Sequence, residues 1–149
     1  MKSLIVIYSF HHNNTEKIAT VIAEILEAKV ITPKEAIPEE IQNYDLVGFG
    51  SGIYGEKLHK SVLNLADKLP QVTNKKAFIF STSAIAEIKS NHKAIRETLQ
   101  QKSYIIVDEF NCRGFNTNSF LKFFGGMNKG RPNAKDLENA EKFAQNLLK

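Results

Sequence analysis

The chain is short of several things, and each shortage excludes something. Its 149 residues include one cysteine, Cys112. A single thiol allows no internal disulfide and no cysteine-based zinc cluster, and a reducing cytoplasm is the expected compartment. No apolar run approaches the roughly 20 residues that span a bilayer, so no membrane insertion is expected. Lys2 is followed by an apolar stretch too short for a signal-peptide core, with no cleavage site, so no secretory leader is expected. No run of five like charges occurs anywhere. Basic residues exceed acidic ones only 20 to 16, a net charge of +4. No aromatic-basic motif supports nucleic-acid binding, so the lysines read as solvated surface and no nucleic-acid partner is expected. Internal repeats and low-complexity segments are also missing.

What is present is a regular alternation. The length suits one domain over residues 1–149, with a substantial core. Leu4–Tyr8, Lys29–Ile31, Asp45–Gly50, Ala77–Phe80 and Tyr104–Val107 read as five strands. The third is apolar without alternation, as in a strand buried on both faces. Between them lie helical patterns at Asn14–Glu27, about Lys57–Leu69 and near Asn91–Gln101, with one turn at Glu39–Asn43. A last helix follows Pro132-Asn133, with Asn133 as its cap and Asp136 in its first turn. Strands alternating with helices imply a parallel sheet covered on both faces. Right-handed crossovers favour a doubly wound α/β three-layer sandwich, five strands in the order 2-1-3-4-5.

In such a sheet a ligand binds beyond the carboxyl ends of the strands, at the switch point between strands 1 and 3. The first strand runs straight into Ser9, His11, His12, Asn13, Asn14 and Thr15, and a helix begins at once. A helix N-terminus carries unpaired N–H groups and about half a positive charge. Capping needs only one of these polar residues; the surplus points to a phosphate site. His11 and His12 are either solvated or donate a ring N–H to phosphate, more strongly below the histidine pKa of about 6.5. Two adjacent histidines place too few ligands for zinc, so no metal is expected. Ser51-Gly52-Ile53-Tyr54-Gly55, Ser81-Thr82-Ser83 and Asn111-Cys112-Arg113-Gly114-Phe115 follow the later strands. Their small residues let a ligand approach the backbone. Four such loops on one sheet edge suit a flat, phosphorylated ligand. Tyr54, between glycines, suits stacking on a ring. Cys112 is either a small buried hydrophobe or a thiol whose pKa Arg113 lowers.

On these residues the chain resembles the flavodoxin family, in its short form, over nearly its whole length. Ser9, Asn14 and Thr15 fit the family's phosphate loop, with Asn13 where Gly is usual; the His11-His12 pair matches a subgroup of small flavodoxin-like proteins. Gly50–Gly55 resembles the loop that wraps the FMN ring. Ser81-Thr82-Ser83 and Cys112-Arg113-Gly114 resemble the loops on its other side. The resemblance implies bound FMN and electron transfer between redox partner proteins, with no side chain acting as acid or base. It also implies that a peptide at Gly52 or Gly55 moves to donate an N–H to flavin N5. With no Trp in the chain, Tyr54 is the one expected member of the family's aromatic pair. The positive charge suggests partners with an acidic docking face. The rival readings are an FMN-dependent NAD(P)H:quinone-type reductase and a flavin-free signalling or binding module. No separate dinucleotide fingerprint supports the first. The second lacks an acidic cluster after strand 1 and an Asp ending strand 3.

Overall fold

The computed structural model describes residues 1–9, 14–83, 87–113 and 132–149. The strands are β1 (Ser3–Tyr8), β2 (Lys29–Ile31), β3 (Leu46–Tyr54), β4 (Lys57–Leu58), β5 (Lys76–Ser83) and β6 (Ile105–Arg113). The helices are α1 (Asn14–Leu26), α2 (Pro38–Ile41), α3 (Lys60–Asp67), α4 (Ile88–Asn91), α5 (Lys93–Gln101) and α6 (Ala134–Leu147). Five strands pair in parallel in the order β2-β1-β3-β5-β6, and the two-residue β4 pairs antiparallel with β3. With β4 set aside this is the expected 2-1-3-4-5 order.

Each face of the sheet has its own core. On one, Leu4, Val6, Val47, Phe49, Ala77 and Ile79 pack with Val62 and Leu65 of α3 and Ile95 and Leu99 of α5. On the other, Ile5, Ile7, Phe78 and Phe80 pack with Ile18 and Ile22 of α1 and Ala140, Phe143 and Ala144 of α6. Both sets follow the period-2 alternation of a strand buried on two sides. Gly48 and Gly50 are required by this packing. A Cβ on Gly48 would lie 2.2 Å from Phe78 Cζ, and one on Gly50 would lie 2.3 Å from Phe80 Cζ.

Two boundaries differ from the sequence expectation, for local reasons. The helix placed at about Lys57–Leu69 starts at Lys60. Gly55 (φ 58°) and Glu56 (φ 64°) turn the chain back, so that Tyr54 pairs with Lys57 and Ile53 with Leu58. Two successive positive φ values make a tight hairpin whose twist matches that of its strands. His59 then caps α3, its Nδ1 accepting from Ser61 N at 3.1 Å. The helix placed near Asn91–Gln101 is two, α4 and α5, with His92 between them. At α6 the expected cap is present: Asn133 Oδ1 accepts from Asp136 N at 3.0 Å, and Asp136 Oδ2 accepts from Asn133 N at 2.8 Å, a reciprocal capping box. Among the described residues no helix is long and apolar enough to cross a membrane.

Candidate functional site

The residues expected to form loops after the strands mostly belong to the strands. Ser51–Tyr54 close β3, Ser81–Ser83 close β5, and Asn111–Arg113 close β6. The ladder carries them because, past a register shift between Ala77 and Phe78 on the β5–β6 pair, the pairing continues to the sheet's carboxyl edge: Tyr8 pairs with Ser51, Ser51 with Ser81, and Ser81 with Asn111. Parallel partners share a face. These four therefore form one row on the α3/α5 side, directly above the apolar row of Val6, Phe49 and Ile79. The core ends there and a polar layer begins.

The next row, Gly52, Thr82 and Cys112, faces α1 and α6. Thr82 Oγ1 lies 2.9 Å from Oγ1 of Thr15 in the first turn of α1, and both residues are buried. One hydroxyl donates to the other, which leaves the second proton free. Asn14 is buried at the start of the same helix. Ser9, just past β1, has a buried Oγ with no hydrogen-bond partner. Cys112 is buried within the α1/α6 core, and Arg113 is exposed. Asn14, Thr15 and Thr82 thus meet at the N-terminus of α1, and Ser9, just past β1, shares a hollow with Glu16 and Thr20 of the same helix. His11, His12, Asn13 and Gly114 lie outside the described residues.

The other expected residues divide by what their side chains do. Ser51 is fully buried and its hydroxyl is engaged: it donates to Gly52 O at 2.6 Å and accepts from His59 N at 2.9 Å. It braces the β3–β4 hairpin. Tyr54 is half-buried and packs edge-on against Tyr8 (6.2 Å between centroids) and His59 (5.0 Å). Tyr8 stacks flat on His59, 3.6 Å apart with 8° between planes. Burial, then the neighbouring Tyr8, pushes the Tyr54 phenol up. Burial, then Lys60, pushes the His59 imidazole down, in keeping with an Nδ1 that accepts. A Cβ on Gly52 would meet only the Tyr54 ring at an ordinary 3.5 Å, and one on Gly55 would meet nothing within 4 Å. Neither glycine is required by packing within the protein. Gly52, Ile53 and Tyr54 are half-buried, and Gly55, Glu56 and Lys57 are the exposed part of the hairpin.

Ser81 belongs to a network that sequence reading did not foresee. Its Oγ lies 2.7 Å from His92 Nε2. His92 Nδ1 lies 2.9 Å from Glu109 Oε1, and Glu109 is gripped by Arg96 through Nε and Nη2, each at 2.7 Å. Asn111 Nδ2 reaches Ser81 Oγ at 2.8 Å and Ser83 Oγ at 3.0 Å. Ser81 and His92 are wholly buried. Burial drives the His92 imidazole below its ordinary pKa, against the opposing pull of Glu109. Burial pushes the Glu109 carboxyl up, but Arg96 and His92 outweigh it and hold it below the ordinary value. His59, His92, Arg96 and Glu109 were not picked out as site residues, because only tertiary pairing brings them to this edge; Asn111 was read only as part of the loop after the last strand, and Tyr8 only as the end of the first. No group of three or more His, Cys, Asp or Glu able to hold a metal occurs among the described residues.

A doubly wound parallel sheet with a helix N-terminus at its switch point defines a class of nucleotide- and flavin-binding folds. Comparison with known proteins narrows it. A family profile for the flavodoxin domain matches residues 5–124, and the chain belongs to that family. An uncharacterised protein of Methanocaldococcus jannaschii is 49% identical over 150 residues, covering 100% of this chain and 99% of the relative. Oxidised Flavodoxin 1 from Bacillus cereus superposes with a TM-score of 0.74 at 19% identity, covering 99% of this chain and 97% of that one. A mutant of Fusobacterium nucleatum flavodoxin, solved bound to flavin mononucleotide, superposes with a TM-score of 0.58 at 18% identity, over 80% of this chain and 72% of that one. At these identities the two structures speak for the fold.

Proposed function

We propose that the protein binds one FMN at the carboxyl edge of the sheet and carries electrons between redox partner proteins in the cytoplasm. The observation that carries the reading is Ser9: a buried hydroxyl with no partner, in a hollow it shares with Glu16 and Thr20 from the first turns of α1. An anion there would meet hydroxyl donors and the positive end of a 13-residue helix. The hairpin adds a second point of fit: a Cβ on Gly52 would touch the Tyr54 ring at an ordinary 3.5 Å, and one on Gly55 would meet open space. The likeness to a flavodoxin solved with flavin mononucleotide supports the choice of cofactor.

Bound FMN would supply the electron-accepting chemistry. The protein's part is to hold and orient it. Ser9, Thr15 and the α1 N-terminus would hold the phosphate. The Gly52–Gly55 hairpin, kept in place by Ser51 and His59, would form one wall of the ring site. The test is calorimetric titration with FMN and riboflavin. One FMN is expected per chain at micromolar or tighter affinity, in a yellow complex, with riboflavin bound more weakly. Absence of FMN binding at micromolar concentration would sink the proposal.

A further inference from the structure

The hydrogen-bond chain on the α5 face has a direction. Arg96 holds both oxygens of Glu109, Nε on Oε2 and Nη2 on Oε1, each at 2.7 Å. A carboxylate held in this fork is ionised and only accepts. The 2.9 Å contact at Oε1 is therefore His92 Nδ1–H donating. His92 is wholly buried and neutral, so its Nε2 is left as an acceptor. Ser81 must spend its single proton on Nε2, at 2.7 Å. Ser81 Oγ then only accepts, and Asn111 Nδ2 supplies that donor at 2.8 Å. The second Nδ2 hydrogen goes to Ser83 Oγ at 3.0 Å. Arg96, Glu109, His92 and Ser81 thus fix which way round the Asn111 amide sits, an orientation that otherwise has to be assumed. What remains is Asn111 Oδ1, an acceptor shielded from water with no donor in the protein.

We propose that Asn111 Oδ1 is the acceptor that reads the ring of the bound cofactor, taking the imide N3–H of the flavin, with Ser81 and His92 as its positioning residues. The inference rests on the FMN reading above. Asn111 stands in the cross-strand row of Ser51 and Ser81, at the edge where that site is placed. An oxidised flavin ring carries one N–H, at N3, and a lone acceptor calls for such a donor. A buried acceptor left unmet is costly, so a ligand that brings a donor to it gains affinity. The arrangement has the atoms of a serine–histidine–carboxylate triad. Ser81's single proton, however, is committed to His92.

The test compares FMN with FMN methylated at N3, which keeps the phosphate and the ring but lacks the donor. Wild type is expected to prefer FMN by about tenfold, the scale of one hydrogen bond to a buried neutral group. Asn111→Leu keeps the bulk and removes the acceptor; the preference should collapse to near unity while the ratio of FMN to riboflavin affinity stays as it was. Ser81→Ala leaves Asn111 in place but frees its amide to turn, and should lower the preference without abolishing binding. Equal affinity of wild type for the two flavins would overturn the proposal and leave the FMN reading standing. A tenfold preference that survives in Asn111→Leu would also overturn it, because bulk or another group would then be reading N3. Failure of wild type to bind either flavin would sink both readings.

Discussion

At the scale of the residue, the proposed phosphate site rests on hydroxyls. Thr15 is buried in the first turn of α1 and bonded to Thr82, one hydroxyl of the pair keeping a proton to give. Thr15→Ala removes one hydroxyl of the pair and leaves Thr82 Oγ1 buried without its partner, a change worth about 1–3 kcal/mol. Part of the cost falls on folding and part on ligand. Only the second part depends on phosphate, so FMN affinity should drop about tenfold while riboflavin affinity drops less. Equal weakening of both in a calorimetric titration would remove Thr15 from the phosphate site. His92 gives a second residue-scale expectation. Its pKa is lowered by burial, so the folded protein resists the proton that the unfolded chain accepts near pH 6.5. The unfolded state then binds more protons, and stability must fall as pH drops below about 6.5. Glu109, also lowered, adds a further loss below about 4.5. Denaturant midpoints measured from pH 7.5 to 5 should decline in wild type and decline less in His92→Gln. Parallel slopes in the two proteins would show that His92 does not set the acid limb.

At the scale of the element, glycines in one strand do opposite jobs. Gly48 and Gly50 give room to Phe78 and Phe80; a Cβ on Gly52 would only touch the Tyr54 ring at an ordinary contact distance. Gly48→Ala forces a Cβ into an aromatic ring and should destabilise by about 1–3 kcal/mol, the usual scale of overpacking. Gly52→Ala should leave the thermal midpoint nearly unchanged and weaken FMN binding. If Gly52→Ala binds FMN as tightly as wild type, the hairpin is no wall of the ring site. This division also shows where sequence reading stops. Apolar runs and amphipathic stripes made the strand order and both cores legible, because burial on two faces leaves a one-dimensional signature. The α6 cap was legible for the same reason, since its partners lie three residues apart. Strand ends were not. Ser51, Ser81 and Asn111 look like loop chemistry, yet they extend the ladder because each has an in-register neighbour on another strand. His92 gave no signal, because its partners Ser81 and Glu109 are 11 and 17 residues away and meet it only across the sheet. The β3–β4 hairpin was hidden by Glu56, a residue that seldom takes the positive φ it has here.

At the scale of the whole molecule, the question is what a net charge of +4 does. Lys57 and Lys60 are exposed on either side of β4 and α3, next to the hairpin that carries Tyr54 and Gly55. Lys60 occupies the first position of α3, where the helix dipole disfavours a cation. Local stability therefore does not explain it. Reducing a bound flavin adds negative charge to the site, and a cationic surface favours that step. A unit charge about 10 Å away contributes roughly 0.4 kcal/mol in water. Reversing two lysines should thus lower the reduction potential by tens of millivolts, on the order set by that Coulomb energy. The shift should shrink with added salt, because the Debye length is about 8 Å at physiological ionic strength. The same lysines would steer a partner with an acidic docking face, and association should slow as salt rises. Potentiometry of wild type and Lys57→Glu/Lys60→Glu at two salt concentrations separates the possibilities. The variant should be no less stable, since Glu at the head of α3 suits the dipole by about 0.3–1 kcal/mol. A lower potential at low salt that converges on wild type at high salt places the basic charge at the flavin edge. A potential indifferent to both substitutions and to salt would mean that these lysines serve solubility alone.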